Sequence, residues 1–148
     1  MFDEIFYARD ACWYVYAAPS VCGIDHESTP VHPPMSKWLI ALGIKVFGNS
    51  PGGWRIASVV FGTLTITAVY LLGRWLLGST MAATVAAGLM AFDFLHLVMS
   101  RTAMLDVFVT MFVVAAFLFA VLDRDRLLAP SGTERAPPPG ERRWRYAA

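Results

Sequence analysis

Three long stretches of the chain carry no charged side chain: residues 56–73, 75–92 and 107–122. The hydrocarbon core of a bilayer is about 30 Å thick and needs roughly 20 apolar helical residues to cross it. The pattern therefore predicts an all-α integral membrane fold with three transmembrane helices, at about 55–77, 80–99 and 103–122. Gly78-Ser79 and Ser100-Arg101 read as the tight turns between them. Upstream the pattern changes. Residues 1–18 are rich in aromatics and read as the start of a helix, whereas 19–34 holds Pro19, Gly23, Pro30, Pro33 and Pro34 and reads as a loop. Residues 35–47 form a further helical segment, opened by Pro33-Pro34 and stopped by Gly48-Asn49. It is too short to span. Lys37, Trp38 and Lys45 on an otherwise apolar stretch point to a helix lying in the membrane interface. Pro51-Gly52-Gly53 reads as a turn into the first span.

Composition sharpens the membrane reading. Of the 148 residues, 57% are hydrophobic and 16% charged, against roughly half and a quarter in soluble domains. The net charge of +1 excludes nothing, but its distribution gives an orientation. Residues 1–34 hold Asp3, Glu4, Asp10, Asp25 and Glu27 against Arg9, while the tail holds Arg124, Arg126, Arg135, Arg142, Arg143 and Arg145. Short cytoplasmic loops carry an excess of Lys and Arg. The expected organisation is an extracytoplasmic segment over 1–54 with the interfacial helix 35–47, the three spans over 55–122, and a cytoplasmic, basic, Pro-rich loop over 123–148. Within that loop, 129–140 reads as disordered and 144–148 as the start of another helix. An acidic outer segment also calls for a helix preceding it, so the chain reads as a fragment. Cys12 and Cys22 either pair in an oxidising compartment or remain two thiols; one cysteine pair carries no framework pattern that decides.

Four groups of residues carry possible chemistry. Phe2-Asp3-Glu4 offers adjacent carboxylates that cannot share one helix face. One can serve a cleft as a base while its neighbour holds structure or substrate; a solvated acidic terminus is the plain alternative. His32-Pro33-Pro34 fixes a histidine where the loop meets the next helix, and the spacing of His26 and His32 gives no metal site. Trp54-Arg55 stands at the mouth of the first span and Arg101 at the outer turn. A guanidinium fork suits a phosphate, with membrane anchoring as the alternative. Asp93, His96 and Asp106 lie in or beside spans, where ionisable groups are costly. Asp93 and His96, three apart, share a helix face; Asp106 suits a helix N-terminus. A buried, self-neutralised cluster of these with Arg101 is as consistent as a substrate contact. The tail lacks interleaved stacking aromatics, so no nucleic-acid partner is expected.

Taken in order, Phe2-Asp3-Glu4, His32-Pro33-Pro34 with Lys37, Trp54-Arg55, and Ser100-Arg101-Thr102 leading to Leu105-Asp106 resemble the N-terminal region of the bacterial, actinobacterial-type protein O-mannosyltransferases. The resemblance runs from Phe2 to about Arg126. It implies part of a polytopic, multi-pass enzyme of the plasma membrane, in the lipid-linked-sugar glycosyltransferase class. Such an enzyme moves mannose from a polyprenyl-phosphate to Ser or Thr of secreted acceptor proteins at the outer face. It implies catalytic roles for Asp3, as general base, and Glu4, its acidic neighbour. Arg55 is then assigned to the donor phosphate, with His32, Arg101 and Asp106 as further substrate-binding positions. The donor is a substrate, and no cofactor is implied. The displacement is expected to be single and inverting. Rival readings are a related lipid-phosphate-sugar transferase with a non-protein acceptor, a non-catalytic membrane fragment, and a transporter using Asp93 and His96 as a proton relay.

Overall fold

The structure, a computed structural model, describes residues 2–27, 30 and 32–127, and every element in that range is helical. Helix α1 (Phe2–Tyr16) begins with Asp3 and Glu4 in its first turn, where carboxylates meet the positive end of the helix dipole. The segment expected to be loop contains a single helical turn, α2 (Pro19–Cys22), opened by its proline. The Cys12–Cys22 disulfide ties α2 back onto α1, with the two Cα atoms 5.7 Å apart. Helix α3 (Pro34–Phe47) starts at the second proline of the Pro-Pro pair and ends at Gly48, whose φ of 83° few other residues tolerate.

Helix α4 (Pro51–Leu77) absorbs Pro51-Gly52-Gly53, which was expected to be a turn. Proline suits the first helical turn because its missing N–H would have no partner there. Ser50 Oγ accepts the Gly53 N–H at 3.2 Å and caps the helix. The expected middle span is two helices, α5 (Thr80–Phe92) and α6 (Phe94–Met99), parted at Asp93, whose ψ of 123° is extended. Helix α7 (Asp106–Leu127) begins at the aspartate expected in its first turn and runs on past residue 122. Among the described residues, two helices are long and apolar enough to cross a membrane: Pro51–Leu77, with mean hydropathy 1.9, and Asp106–Arg124 within α7, with 2.2. The thirteen residues of α5 are too few to cross alone. The expectations for 128–148 lie outside the described residues.

The chain divides into two units. The first comprises residues 1–63 and 94–109 and contains the main core. Ala11 and Cys12 of α1, Ile40 and Ile44 of α3, and Val107 and Phe108 of α7 are buried together there. Phe61 meets Phe108 edge-on, with ring centroids 5.0 Å apart. Lys37, read from sequence with Trp38 and Lys45 as a sign of an interfacial helix, is fully buried, with Nζ 3.1 Å from Asp10 Oδ2 and 2.5 Å from Glu27 Oε1. The outward face of α3 carries Met35, Trp38, Leu42 and Val46, all exposed. In the second unit, residues 64–93 with 110 onward, Gly78 turns the chain at φ 62°. Ser79 Oγ then caps α5 by accepting the Ala82 N–H, and Arg74 donates to Thr80.

Candidate active site

Helix α1 sorts the acidic pair onto different surfaces, as adjacent residues on a helix must be. Glu4 points inward. Its side chain is 8% exposed, and its Oε1 accepts Arg55 Nε at 2.6 Å while Oε2 accepts Arg55 Nη2 at 2.9 Å. Oε1 also accepts the Ala103 N–H at 3.1 Å. These hydrogen bonds, the arginine's foremost, hold the Glu4 carboxyl below the usual carboxylate range in spite of its burial. One carboxylate thus joins the first turn of α1, the start of α4 and the turn before α7. With both oxygens committed, Glu4 is held as an anion and is poorly placed to take a proton.

Asp3, the neighbouring residue, is exposed. One turn further along α1, Tyr7 is buried, and its hydroxyl lies 3.4 Å from His32 Nε2 with the two rings edge-on at 5.5 Å. Burial raises the Tyr7 phenol above its ordinary value, and the charges of Asp3 and Asp106 push it further. Tyr7 thus contacts His32, one of the residues singled out in the sequence, and feels the charges of two others, Asp3 and Asp106. Arg101 stands exposed in the turn between α6 and α7. His96 is buried, with Nε2 3.2 Å from Gly62 O. The break at Asp93 removes the continuous helix face that Asp93 and His96 were expected to share.

On the other flank of α1 a cleft of about 370 Å³ opens in the first unit, lined among others by Glu4, Arg9, Cys12, Asn49, Trp54 and Arg55. Arg55 spends two of its five N–H groups on Glu4 and keeps 43% of its side chain exposed. Trp54 Nε1 is buried without a hydrogen-bond partner among the described residues. Asn49 Nδ2 donates to Cys12 Sγ at 3.4 Å and Val21 O at 3.5 Å, fastening the disulfide-closed hairpin to the α3–α4 junction. Among the described residues, no three His, Cys, Asp or Glu side chains converge as a metal-holding group. Sequence reasoning missed Tyr7, Arg9 and Asn49. Tyr7 stands four residues after Asp3, so helical spacing would have put it on that carboxylate's side of α1; Arg9, five after Glu4, falls on a different face, and Asn49 left no local signal.

The family described as dolichyl-phosphate-mannose-protein mannosyltransferase matches residues 31–126. The chain is 42% identical over 134 residues to a polyprenol-phosphate-mannose–protein mannosyltransferase of Corynebacterium glutamicum, covering 86% of the chain and 25% of that relative. It is 37% identical over 158 aligned positions to one of Mycobacterium tuberculosis, covering 100% of the chain and 30% of the relative. An undecaprenyl phosphate-alpha-4-amino-4-deoxy-L-arabinose arabinosyl transferase of Pseudomonas paraeruginosa is 41% identical over 59 residues, 40% of the chain. The chain thus spans between 25% and 30% of the length of the mannosyltransferases it matches. No solved structure matches it.

Proposed function

The chain belongs to the dolichyl-phosphate-mannose-protein mannosyltransferase family, and from that premise we propose that the protein it represents transfers mannose from polyprenyl-phosphate-mannose to Ser or Thr hydroxyls of proteins at the outer membrane face. Asp3 acts as general base. A serine hydroxyl is a weak nucleophile until a positioned base takes its proton, and exposed Asp3 is open to such a substrate. Glu4 holds Arg55, whose remaining N–H groups stabilise the charge on the departing lipid phosphate. His32, which contacts Tyr7, and Asp106 line the acceptor side, and Arg101 meets substrate at the outer turn. The observation that carries the reading is this division of labour on α1: one carboxylate locked onto the arginine, its neighbour left open.

The Cys12–Cys22 bond supports the extracytoplasmic placement of residues 1–54, since disulfides persist in oxidising compartments. The basic residues beyond α7 support a cytoplasmic tail. Helices α4 and α7 then span the plasma membrane, α5 with α6 forms the third crossing, and the apolar outer face of α3 lies in the interface. The test uses the full-length parent protein in membranes, with polyprenyl-phosphate-mannose as donor and a Ser/Thr peptide as acceptor. Asp3→Asn is expected to abolish transfer, and undiminished transfer removes Asp3 as base. The likeness to a transferase named for another undecaprenyl-phosphate-linked sugar favours a second reading, a related lipid-phosphate-sugar transferase; transfer to a lipid or glycan acceptor in place of the peptide would establish it.

A further inference from the structure

Tyr7 has no part in the roles set out for α1, yet it touches a residue that has one. It stands four residues after Asp3, which puts the two on one face of α1, about 6 Å apart along the axis. Its ring is built into the main core with Ala11 and Ile40, and its hydroxyl reaches His32 Nε2 at 3.4 Å. The imidazole meets the phenol edge-on, with centroids 5.5 Å apart and planes at 88°. His32 itself is exposed, and Pro33 behind it fixes an extended backbone at φ −53° and ψ 133°. A ring anchored in the core thus holds a histidine that is open to solvent.

The direction of that hydrogen bond decides what the histidine can offer. Burial first, then the charges of Asp3, Asp106 and Asp10 against the opposing pull of Lys37, keep the Tyr7 phenol protonated. A buried O–H left without an acceptor is costly, and His32 Nε2 is an acceptor within reach. A ring nitrogen that accepts carries no hydrogen, so the neutral ring bears its hydrogen on Nδ1. We propose that Tyr7 is a positioning residue for the transfer: its hydroxyl donates to His32 Nε2 and presents the His32 Nδ1–H, on the Asp3 face of α1, as the hydrogen-bond donor that orients the acceptor. The inference rests on the mannosyl-transfer reading and deepens its acceptor side. With Nε2 occupied, the imidazole has no lone pair to set against the acceptor's hydroxyl, and proton abstraction stays with Asp3. His32 supplies orientation and Asp3 supplies the base, an arrangement that acts through the placement of the reacting atoms.

The experiment uses the full-length protein in nanodiscs. It measures kcat and both KM values for mannose transfer to a Ser/Thr peptide, alongside nitrogen-15 spectra of histidine-labelled protein, with the His32 signals identified by their loss in His32→Ala. In the parent, His32 is expected to show an unprotonated Nε2 and a protonated Nδ1. Tyr7→Phe keeps the ring in the core and is expected to shift that ring toward the opposite tautomer. It should also raise the acceptor KM about fivefold, the scale of one neutral hydrogen bond, with the donor KM within about twofold. His32→Ala should raise the acceptor KM about tenfold, and adding Tyr7→Phe to it should change little more, because the phenol acts through the histidine. Multiplying losses in the double variant, or a hydrogen on His32 Nε2 in the parent, would overturn the proposal. Tyr7→Phe with the parent's kinetics, while Asp3→Asn abolishes transfer, overturns the pair and leaves the catalytic reading standing. Undiminished transfer by Asp3→Asn, with the acceptor KM still dependent on Tyr7 through His32, removes the base and supports the pair.

Discussion

Lys37 Nζ lies 3.1 Å from Asp10 Oδ2, and neither side chain reaches solvent. The ammonium also bonds Glu27 Oε1, whose carboxyl is held below the usual range chiefly by that bond. Tyr14 bonds Glu27 in turn, and burial together with that carboxylate pushes its phenol up to about 12. This network fastens α1 to α3 two turns along from Asp3 and Glu4, so it fixes the helix on which the proposed chemistry depends. Buried ions are costly unless paired.

Lys37→Ala leaves Asp10 buried without its cation, and the expected loss is about 3–5 kcal/mol. Lys37→Met with Asp10→Asn removes both charges and is expected to recover most of it. Thermal melts of the full-length protein in detergent give the double-mutant cycle. Strictly additive losses would mean that the two side chains do not interact.

The Glu4 and Arg55 pair, fifty-one residues apart in the chain, predicts a pH dependence. The folded-state pKa of Glu4 is depressed, so its contribution is complete above the ordinary carboxylate range (about 4.3 for glutamate) and is lost as pH falls through the lower folded value. Stability measured downward from neutral pH should hold and then fall below that range. Glu4→Gln should remove part of the slope and cost about 2 kcal/mol at neutral pH, the low end for a truncated charge pair because Arg55 is partly exposed. Glu27 is depressed too, so a residual slope is expected in Glu4→Gln and should be reduced by Glu27→Gln. A pH profile of Glu4→Gln that overlays the parent's would refute the assignment.

Local signals in the sequence carried the helices further than they carried the site. Prolines before α3 and glycine after it marked that helix closely, and charge-free runs marked α4 and α7, because these signals act within a few residues. The break at Asp93 had no such mark: the apolar run 75–92 continues into Phe94 and Leu95, and hydropathy is blind to a change of ψ at one residue. The burial of Lys37 left no mark, because a lysine on an apolar helix ordinarily reaches water and its partner Asp10 is remote in sequence. The opposite duties of Asp3 and Glu4 were half legible. Adjacency on a helix required different faces, but only Arg55 and the Ala103 N–H, both distant in the chain, decide which carboxylate turns inward.

Close backbone approach makes Gly43 intolerant of any side chain. A Cβ there would stand 2.4 Å from Gly53 O and 2.9 Å from Ile56 Cγ2, contacts that oblige α3 and α4 to separate. Gly43→Ala is expected to cost about 1–3 kcal/mol, the usual range for overpacking, and to lower transfer by shifting Arg55, which lies on the same first turns of α4. Gly88, with nothing within 4 Å of an added Cβ, is the control, and Gly88→Ala should match or exceed the parent's melting temperature. Equal melting temperatures for Gly43→Ala and the parent would show that the two helices have room to spare.

The disulfide predicts both stability and compartment. Cys12 and Cys22 lie ten residues apart in sequence and both line the cleft. Closing a loop of that size removes about 3 kcal/mol of unfolded-chain entropy, so the Cys12→Ser, Cys22→Ser double variant should melt lower by a comparable amount. Asn49 bonds Cys12 Sγ and Val21 O, so loosening the hairpin also disturbs the wall opposite Arg55. Transfer activity is expected to fall with reductant in the parent and to be insensitive to reductant in the double variant. In intact cells, a membrane-impermeant maleimide should label these two cysteines only after reduction. Labelling without reductant would mean free thiols, and absence of labelling even after reduction, with labelling restored on permeabilisation, would put α1 on the cytoplasmic side and contradict the proposed orientation of the site.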